Sequence, residues 1–249
     1  SDILMRSLHH AIARNRNRMG LKLAESEQRL QAFRESQAFY HSLVETLRAV
    51  SNYVQLLERH YGDLLDGEGK RFIGFAVDGA KRMRQLINDL LAFSRIGTRG
   101  KKLAPIDSGA ALSRALKSLA LVIEETGAEV TTETLPVVWG DKGQLAQVFQ
   151  NLIGNAIKFC ETEPRITVSA TRADNGWRFF VSDNGIGMEK SHLEKVFEVF
   201  QRLHTRERYN GTGIGLAVVR KIVERHGGKI RVESVPGEGS VFSFTLKAD

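Results

Sequence analysis

Asp183-Asn184-Gly185-Ile186-Gly187 is the stretch on which the reading of this chain turns. It follows Trp177-Arg178-Phe179-Phe180-Val181, an apolar run with the make-up of a buried strand. A carboxylate at a strand end, then glycines in alternate positions, marks a tight turn where backbone approaches something closely. Taken alone it is also ordinary turn chemistry. Upstream, Gln147 to Phe159 spells an amphipathic helix in which Gln147, Asn151 and Asn155 recur every four residues. That spacing stacks amides on one face, with Lys158 further along. Asparagine is a poor helix former, so two in one helix interior need a reason. Downstream, Gly211-Thr212-Gly213-Ile214-Gly215-Leu216 opens another apolar helix. Glycines ahead of a helix N-terminus expose backbone N–H groups to an anion.

In this order the three stretches resemble the ATP-binding domain of sensor histidine kinases, within the gyrase/Hsp90/histidine-kinase/MutL superfamily. The segment Val196-Phe197-Glu198-Val199-Phe200-Gln201-Arg202 is similar to the phenylalanine-containing motif of the same family. The resemblance covers about Pro105 to Leu246 and implies ATP and Mg²⁺ as cofactors. It implies that Asp183 accepts from the adenine amino group, that Gly185 and Gly187 let backbone close over the base, and that Phe159 packs beside the ring. By the same resemblance Asn155 ligates Mg²⁺, and Asn151 contacts phosphate or metal-bound water. Lys158 and Arg202 meet phosphate charge, with Phe200 in the same motif. Gly211, Thr212, Gly213, Gly215 and Leu216 wrap the triphosphate, and Leu203–Asn210 form a polar lid weak in apolar anchors. ATP-hydrolysing relatives carry a water-activating glutamate where this chain has Asn151. An amide is no base, so transfer to a side chain is favoured over hydrolysis.

The chain has 249 residues, 42% hydrophobic and 26% charged, the balance of a globular protein of one or two domains. No apolar run approaches the roughly 18 residues of a membrane span. The single cysteine, Cys160, excludes a disulfide framework and fits a reducing, cytoplasmic compartment. It reads as a packing residue at a helix end. The +7 net charge lies wholly in residues 1–104, which hold 18 Lys/Arg against 11 Asp/Glu. These cations fall among helical apolar positions without interleaved aromatics, so a solvated coiled-coil face is read in preference to a nucleic-acid surface.

That first part is helical in pattern from Leu8. A seam at Leu30, Phe33, Gln37, Tyr40, Val44, Leu47, Ser51 and Val54 steps by three and four. A helix from Leu8 to His60 spans about 80 Å and needs a partner along its seam. After turn chemistry from His60 to Gly69, a second helix carries Phe72, Ala76, Gly79, Met83, Leu86, Leu90 and Phe93, ending near Ile96-Gly97. Two such helices make an antiparallel hairpin that pairs with its own copy as a four-helix bundle.

The hairpin is similar to the dimerisation and phosphotransfer domain of the same kinases. Its phosphoacceptor motif matches His41-Ser42-Leu43-Val44-Glu45-Thr46-Leu47-Arg48. The resemblance implies that His41 takes the γ-phosphate, while His9, His10, His60, His192, His204 and His226 read as surface helix histidines without a role. It departs at two places. Ser42 replaces the acidic residue that takes the imidazole proton, leaving Glu45, one turn along, as the substitute base. Thr46 replaces a proline, removing the usual kink. The expected whole is a coiled-coil linker over 1–28, an all-α dimeric hairpin over 29–98 and an α+β sandwich ATP-binding domain over 105–249. It is expected to act as a homodimeric two-component kinase core serving a response regulator receiver domain. The helical start resembles the exit from a sensory or receiver domain, expected upstream. The alternative is a kinase-like module that binds ATP, has impaired transfer because of Ser42, and signals by conformation or docking.

Overall fold

Two aspartates each close a strand and open a helix. Asp107 caps the first by accepting from the amides of Gly109 (2.8 Å) and Ala110 (3.2 Å). Asp141 does the same for Gly143 (2.9 Å) and Gln144 (3.2 Å). Each cap satisfies amides that lack an intrahelical partner. The computed structural model describes residues 42–62, 64–96, 102–201, 209 and 211–248. The sequence-based expectations for the coiled coil, the seam from Leu30 to Tyr40, His41, Arg202 and all of the lid except Tyr209 lie outside these residues.

The chain divides into two units, one ending at Ile87 and one running from Asn88 to Asp249. In the first, α1 covers residues 42–61 and α2 covers Gly67–Arg95, continuing into the second unit. The Asp66 carboxylate accepts from Gly69 N at 2.7 Å and so caps α2. Helix α1 runs unbroken through Thr46, whose hydroxyl donates to the Ser42 carbonyl at 2.9 Å. The described part of the expected α1 seam holds: Val44, Leu47 and Val54 are half-buried and Ser51 is buried. The α2 seam holds in its second half, where Leu86, Leu90 and Phe93 are half-buried, and differs in its first. Val77 and Ala80 are buried, while Phe72 is 58% and Met83 47% exposed. An amphipathic helix carries an apolar stripe wider than one row, and periodicity alone does not choose the row that one chain buries.

The second unit has the mixed strands and helices expected of an α+β sandwich. Strand β1 (Ala104–Asp107) precedes α3 (Ser108–Thr126), β2 (Glu129–Thr132), β3 (Val137–Gly140) and α4 (Lys142–Lys158). Then come β4 (Arg165–Ala173), β5 (Gly176–Asp183), two short 3₁₀ turns, α5 (Gly215–Arg225), β6 (Ile230–Val235) and β7 (Gly239–Lys247). Five strands form one mixed sheet in the order β2-β4-β5-β7-β6, with β2 and β4 parallel and the other neighbours antiparallel. Strand β1 stands apart from that sheet. It pairs with β3 in a separate two-stranded sheet. Its Ala-Pro-Ile-Asp sequence is too short for a period-two signal.

The core forms where α4 meets the sheet. Phe149 of α4 sits edge-on to Phe179 of β5 (6.1 Å) and Phe244 of β7 (6.0 Å), and those two rings stack at 5.0 Å. Truncating one such buried ring costs about 3–5 kcal/mol. The ends of α4 and β5 are joined where Ile186 N donates to the Phe159 carbonyl at 2.9 Å.

Candidate functional site

Strand β5 ends on Asp183, whose Oδ1 accepts from the amides of Gly185 (2.9 Å) and Ser240 (3.2 Å). Burial pushes its carboxyl above the ordinary carboxylate range, and the two amide hydrogen bonds oppose the shift. The turn that follows is stitched on both sides. Ile186 N donates to the Phe159 carbonyl at 2.9 Å, and Gly237 N donates to the Ile186 carbonyl at 2.8 Å. Met188 N donates to Ser234 Oγ at 2.8 Å. Gly187 has φ +65°, and a Cβ there would run into the Val235 carbonyl. A Cβ at Gly185 would stand 2.7 Å from the Phe159 carbonyl oxygen. The close approach expected of these glycines is therefore to the end of α4 and to the β6–β7 turn.

The polar face of α4 meets the glycine-rich segment. Asn151 Nδ2 donates to the Gln147 carbonyl at 2.8 Å, which fixes the amide plane. Its Oδ1 would stand 2.7 Å from a Cβ at Gly215, so glycine there lets the first turn of α5 lie on Asn151. Lys158 Nζ stands at the same distance, 2.7 Å, from a Cβ position at Gly211, and 4.3 Å from the centre of the Phe159 ring. Asn155 lies half-buried one turn beyond Asn151. Helix α5 begins with no side-chain cap at Ile214, unlike α3 and α4, and its first amides point out of the helix end. Leu216 is half-buried in that turn. An amide-lined helix face and a lysine thus lie against the segment that leads into an uncapped helix start, groups of the kind that hold a polyanion.

Phe200 enters the site through its backbone. Its N donates to the Gly213 carbonyl at 3.0 Å, with φ +67°, while its side chain is 58% exposed. The buried ring of that motif is Phe197, 5% exposed, edge-on to Phe242 and covered by Arg220. Glu45 is exposed on α1. Thr212 is half-buried, and its hydroxyl donates to Asp89 Oδ2 at 2.6 Å.

Four residues escaped the sequence reading. Tyr209 lies against Phe159, with ring centres 5.0 Å apart, and its hydroxyl donates to Glu161 Oε1 at 3.1 Å. Its one signal is an aromatic in an otherwise polar stretch. Asp89 and Ser240 meet the site through distant pairings without a local signature. His226, expected on a helix surface, is only 3% exposed. Its Nε2 accepts from Asp141 N at 2.9 Å, and its Nδ1 meets the Ile222 carbonyl at 2.7 Å. Those partners fix the neutral tautomer with the proton on Nδ1. Burial holds its pKa below the ordinary histidine value. It joins the end of α5 to the start of α4. Among the described residues no three His, Cys, Asp or Glu side chains converge as a metal site. The donors that fit Mg²⁺ are amide oxygens, hard ligands for an ion that draws the rest of its shell from phosphate and water.

Residues 140–249 match the family described as histidine kinase-, DNA gyrase B- and HSP90-like ATPase, and residues 45–99 match the His Kinase A (phospho-acceptor) domain. The second match begins just after His41 and Ser42. The chain is 47% identical over 207 residues to the phytochrome-like protein Cph1 of Synechocystis sp., covering 83% of this chain and 28% of that protein. It is 48% identical to cyanobacterial phytochrome A of Nostoc sp., covering 83% and 27%. It thus spans under a third of the length of these two relatives. Among solved structures, full-length ShkA in complex with AMPPNP superposes with a TM-score of 0.64 at 28% identity, over 86% of this chain and 46% of that one.

Proposed function

The chain belongs to the sensor histidine kinases, whose catalytic core it carries, and on that premise we propose that it binds ATP with Mg²⁺, phosphorylates His41 and passes the phosphoryl group to an aspartate of a response regulator. One observation carries the nucleotide part. Gly211 seated on Lys158 and Gly215 seated on Asn151 bring a cation, an amide and an uncapped helix start to one place. Asp183 supplies a further acceptor, near the Phe159 carbonyl at Gly185.

The roles are those that the family resemblance implies. Asp183 takes a hydrogen bond from the adenine amino group, which selects adenine over guanine. Lys158 and the first amides of α5 hold the phosphates. Asn155 would ligate Mg²⁺ and Asn151 would contact phosphate or metal-bound water, and the bound ion would offset phosphate charge. His41 forms the N–P bond as the bond from the γ-phosphorus to the bridging oxygen breaks, with ADP leaving. The imidazole proton goes to Glu45, the carboxylate four residues on. Asn151 offers no base to water, which favours transfer to a side chain over hydrolysis.

The exposed apolar row of Phe72, Phe75 and Met83 on α2, with Tyr53 and Leu57 on α1, supports a homodimer closed by a second hairpin. The phytochrome names of two relatives support a sensory module upstream over a receiver domain. Incubation with γ-labelled ATP and Mg²⁺ tests the reading. Label is expected on wild type and not on His41→Ala. Wild type without label, or His41→Ala with it, ends the proposal.

A further inference from the structure

We propose that Tyr209 is a positioning residue for the phosphate end of the nucleotide: a clasp that holds the Gly211–Gly215 segment down on the end of α4. The proposal rests on the nucleotide reading above and deepens it. Three contacts place it, all falling on the short stretch Lys158–Glu161. The Tyr209 ring meets Phe159 with centres 5.0 Å apart and planes tilted by 56°. Its hydroxyl donates to Glu161 Oε1 at 3.1 Å. Two residues on, Gly211 lies on Lys158 so tightly that a Cβ would stand 2.7 Å from Nζ.

The distances decide between two roles for the ring. A purine held between two aromatic faces needs two van der Waals gaps of about 3.5 Å, so ring centres about 7 Å apart. At 5.0 Å, Phe159 and Tyr209 are in direct contact and leave no slot for a base. Tyr209 is therefore a brace behind the loop and not the second wall of an adenine sandwich. The bond to Glu161 is charge-assisted and directional, and it fixes which way the ring faces. With Tyr209 pinned at two points, the backbone that follows can place Gly211 on Lys158 and carry on to Gly215 on Asn151. The clasp acts on the part of the site that meets phosphates, and the Asp183 end is held independently by Ser240 and Ile186.

The test is competition binding on the full chain, with the β,γ-imido analogue of ATP and with adenosine. Tyr209→Ala is expected to weaken the triphosphate analogue about tenfold and adenosine less than about twofold. Tyr209→Phe keeps the ring, and Glu161→Gln weakens the acceptor. Each is expected to lose about threefold, and the double variant no more than either alone, because both remove one bond. Melting temperatures are expected to stay at the wild-type value, since the contact lies at the surface. Unchanged triphosphate affinity in Tyr209→Ala overturns the clasp. So does an equal loss for both ligands, which marks an adenine wall, or losses that multiply in the double variant. Wild type that binds neither ligand instead overturns the nucleotide reading beneath it.

Discussion

The amide of Ser240 donates to Asp183 Oδ1 at 3.2 Å, so the carboxylate expected to read adenine is aimed by the first residues of the last strand. Asp183 and Ser240 are also register partners across β5 and β7. Backbone donors from two directions leave one carboxylate oxygen directed away from them.

Asp183→Asn separates binding from folding. The amide oxygen can accept from Gly185 and Ser240 as the carboxylate does, and the substitution removes a half-buried charge. The melting temperature at neutral pH is expected to hold or rise, while ATP affinity falls by about 1–3 kcal/mol for the lost charged acceptor. In wild type the carboxyl is raised above 3.8. Its protonated form is favoured by the fold, so its contribution to stability is largest at low pH and falls as pH rises from the unfolded value through the raised one. Nucleotide binding moves oppositely and weakens as pH drops through the raised value. Titration of affinity against pH in wild type and Asp183→Asn checks both signs.

His226 predicts an acid-sensitive ATP-binding domain. Its folded pKa lies below the ordinary 6.5 because burial disfavours the charged form. The unfolded chain then binds the proton more readily, so stability present above 6.5 falls as pH falls toward the depressed value. Thermal melts from pH 7.5 to 5 are expected to show that loss. His226→Ala is expected to cost about 1–3 kcal/mol at neutral pH through the unpaired Asp141 amide, and to flatten the dependence.

Asp89 places a carboxylate on the segment expected to hold phosphates, through its 2.6 Å bond to Thr212. A second anion there opposes the first. Asp89→Asn keeps an acceptor for the hydroxyl and removes the charge. ATP affinity is expected to rise about threefold at low salt, with the gain shrinking as salt screens it. Binding isotherms at two ionic strengths measure this.

Two glycines give a matched steric comparison. Gly187 (φ +65°) has the Val235 carbonyl where a Cβ would go, whereas Gly237 (φ +82°) has nothing within 4 Å. Gly237→Ala is expected to cost about 1 kcal/mol from backbone strain alone. Gly187→Ala must also displace the β6–β7 turn and is expected to cost several times more. Denaturant midpoints on the two variants give the difference.

Much of this molecule was settled by short-range chemistry that the sequence carries openly. Asp141 caps α4 and the Asp183–Gly187 turn ends β5 because a cap or a turn depends on residues two or three apart. The four-residue spacing of Gln147, Asn151 and Asn155 likewise determined one polar face. Tertiary structure alone decided what depends on distant partners. His226 is buried because Asp141, 85 positions away, donates to it, and Thr212 finds Asp89 across 123 positions. Likewise Phe197 and not Phe200 is buried, and Val77 and not Phe72 faces inward on α2. Periodicity ranks which faces are apolar, but only the chain closing on itself determines which apolar row, and which polar group, loses contact with water.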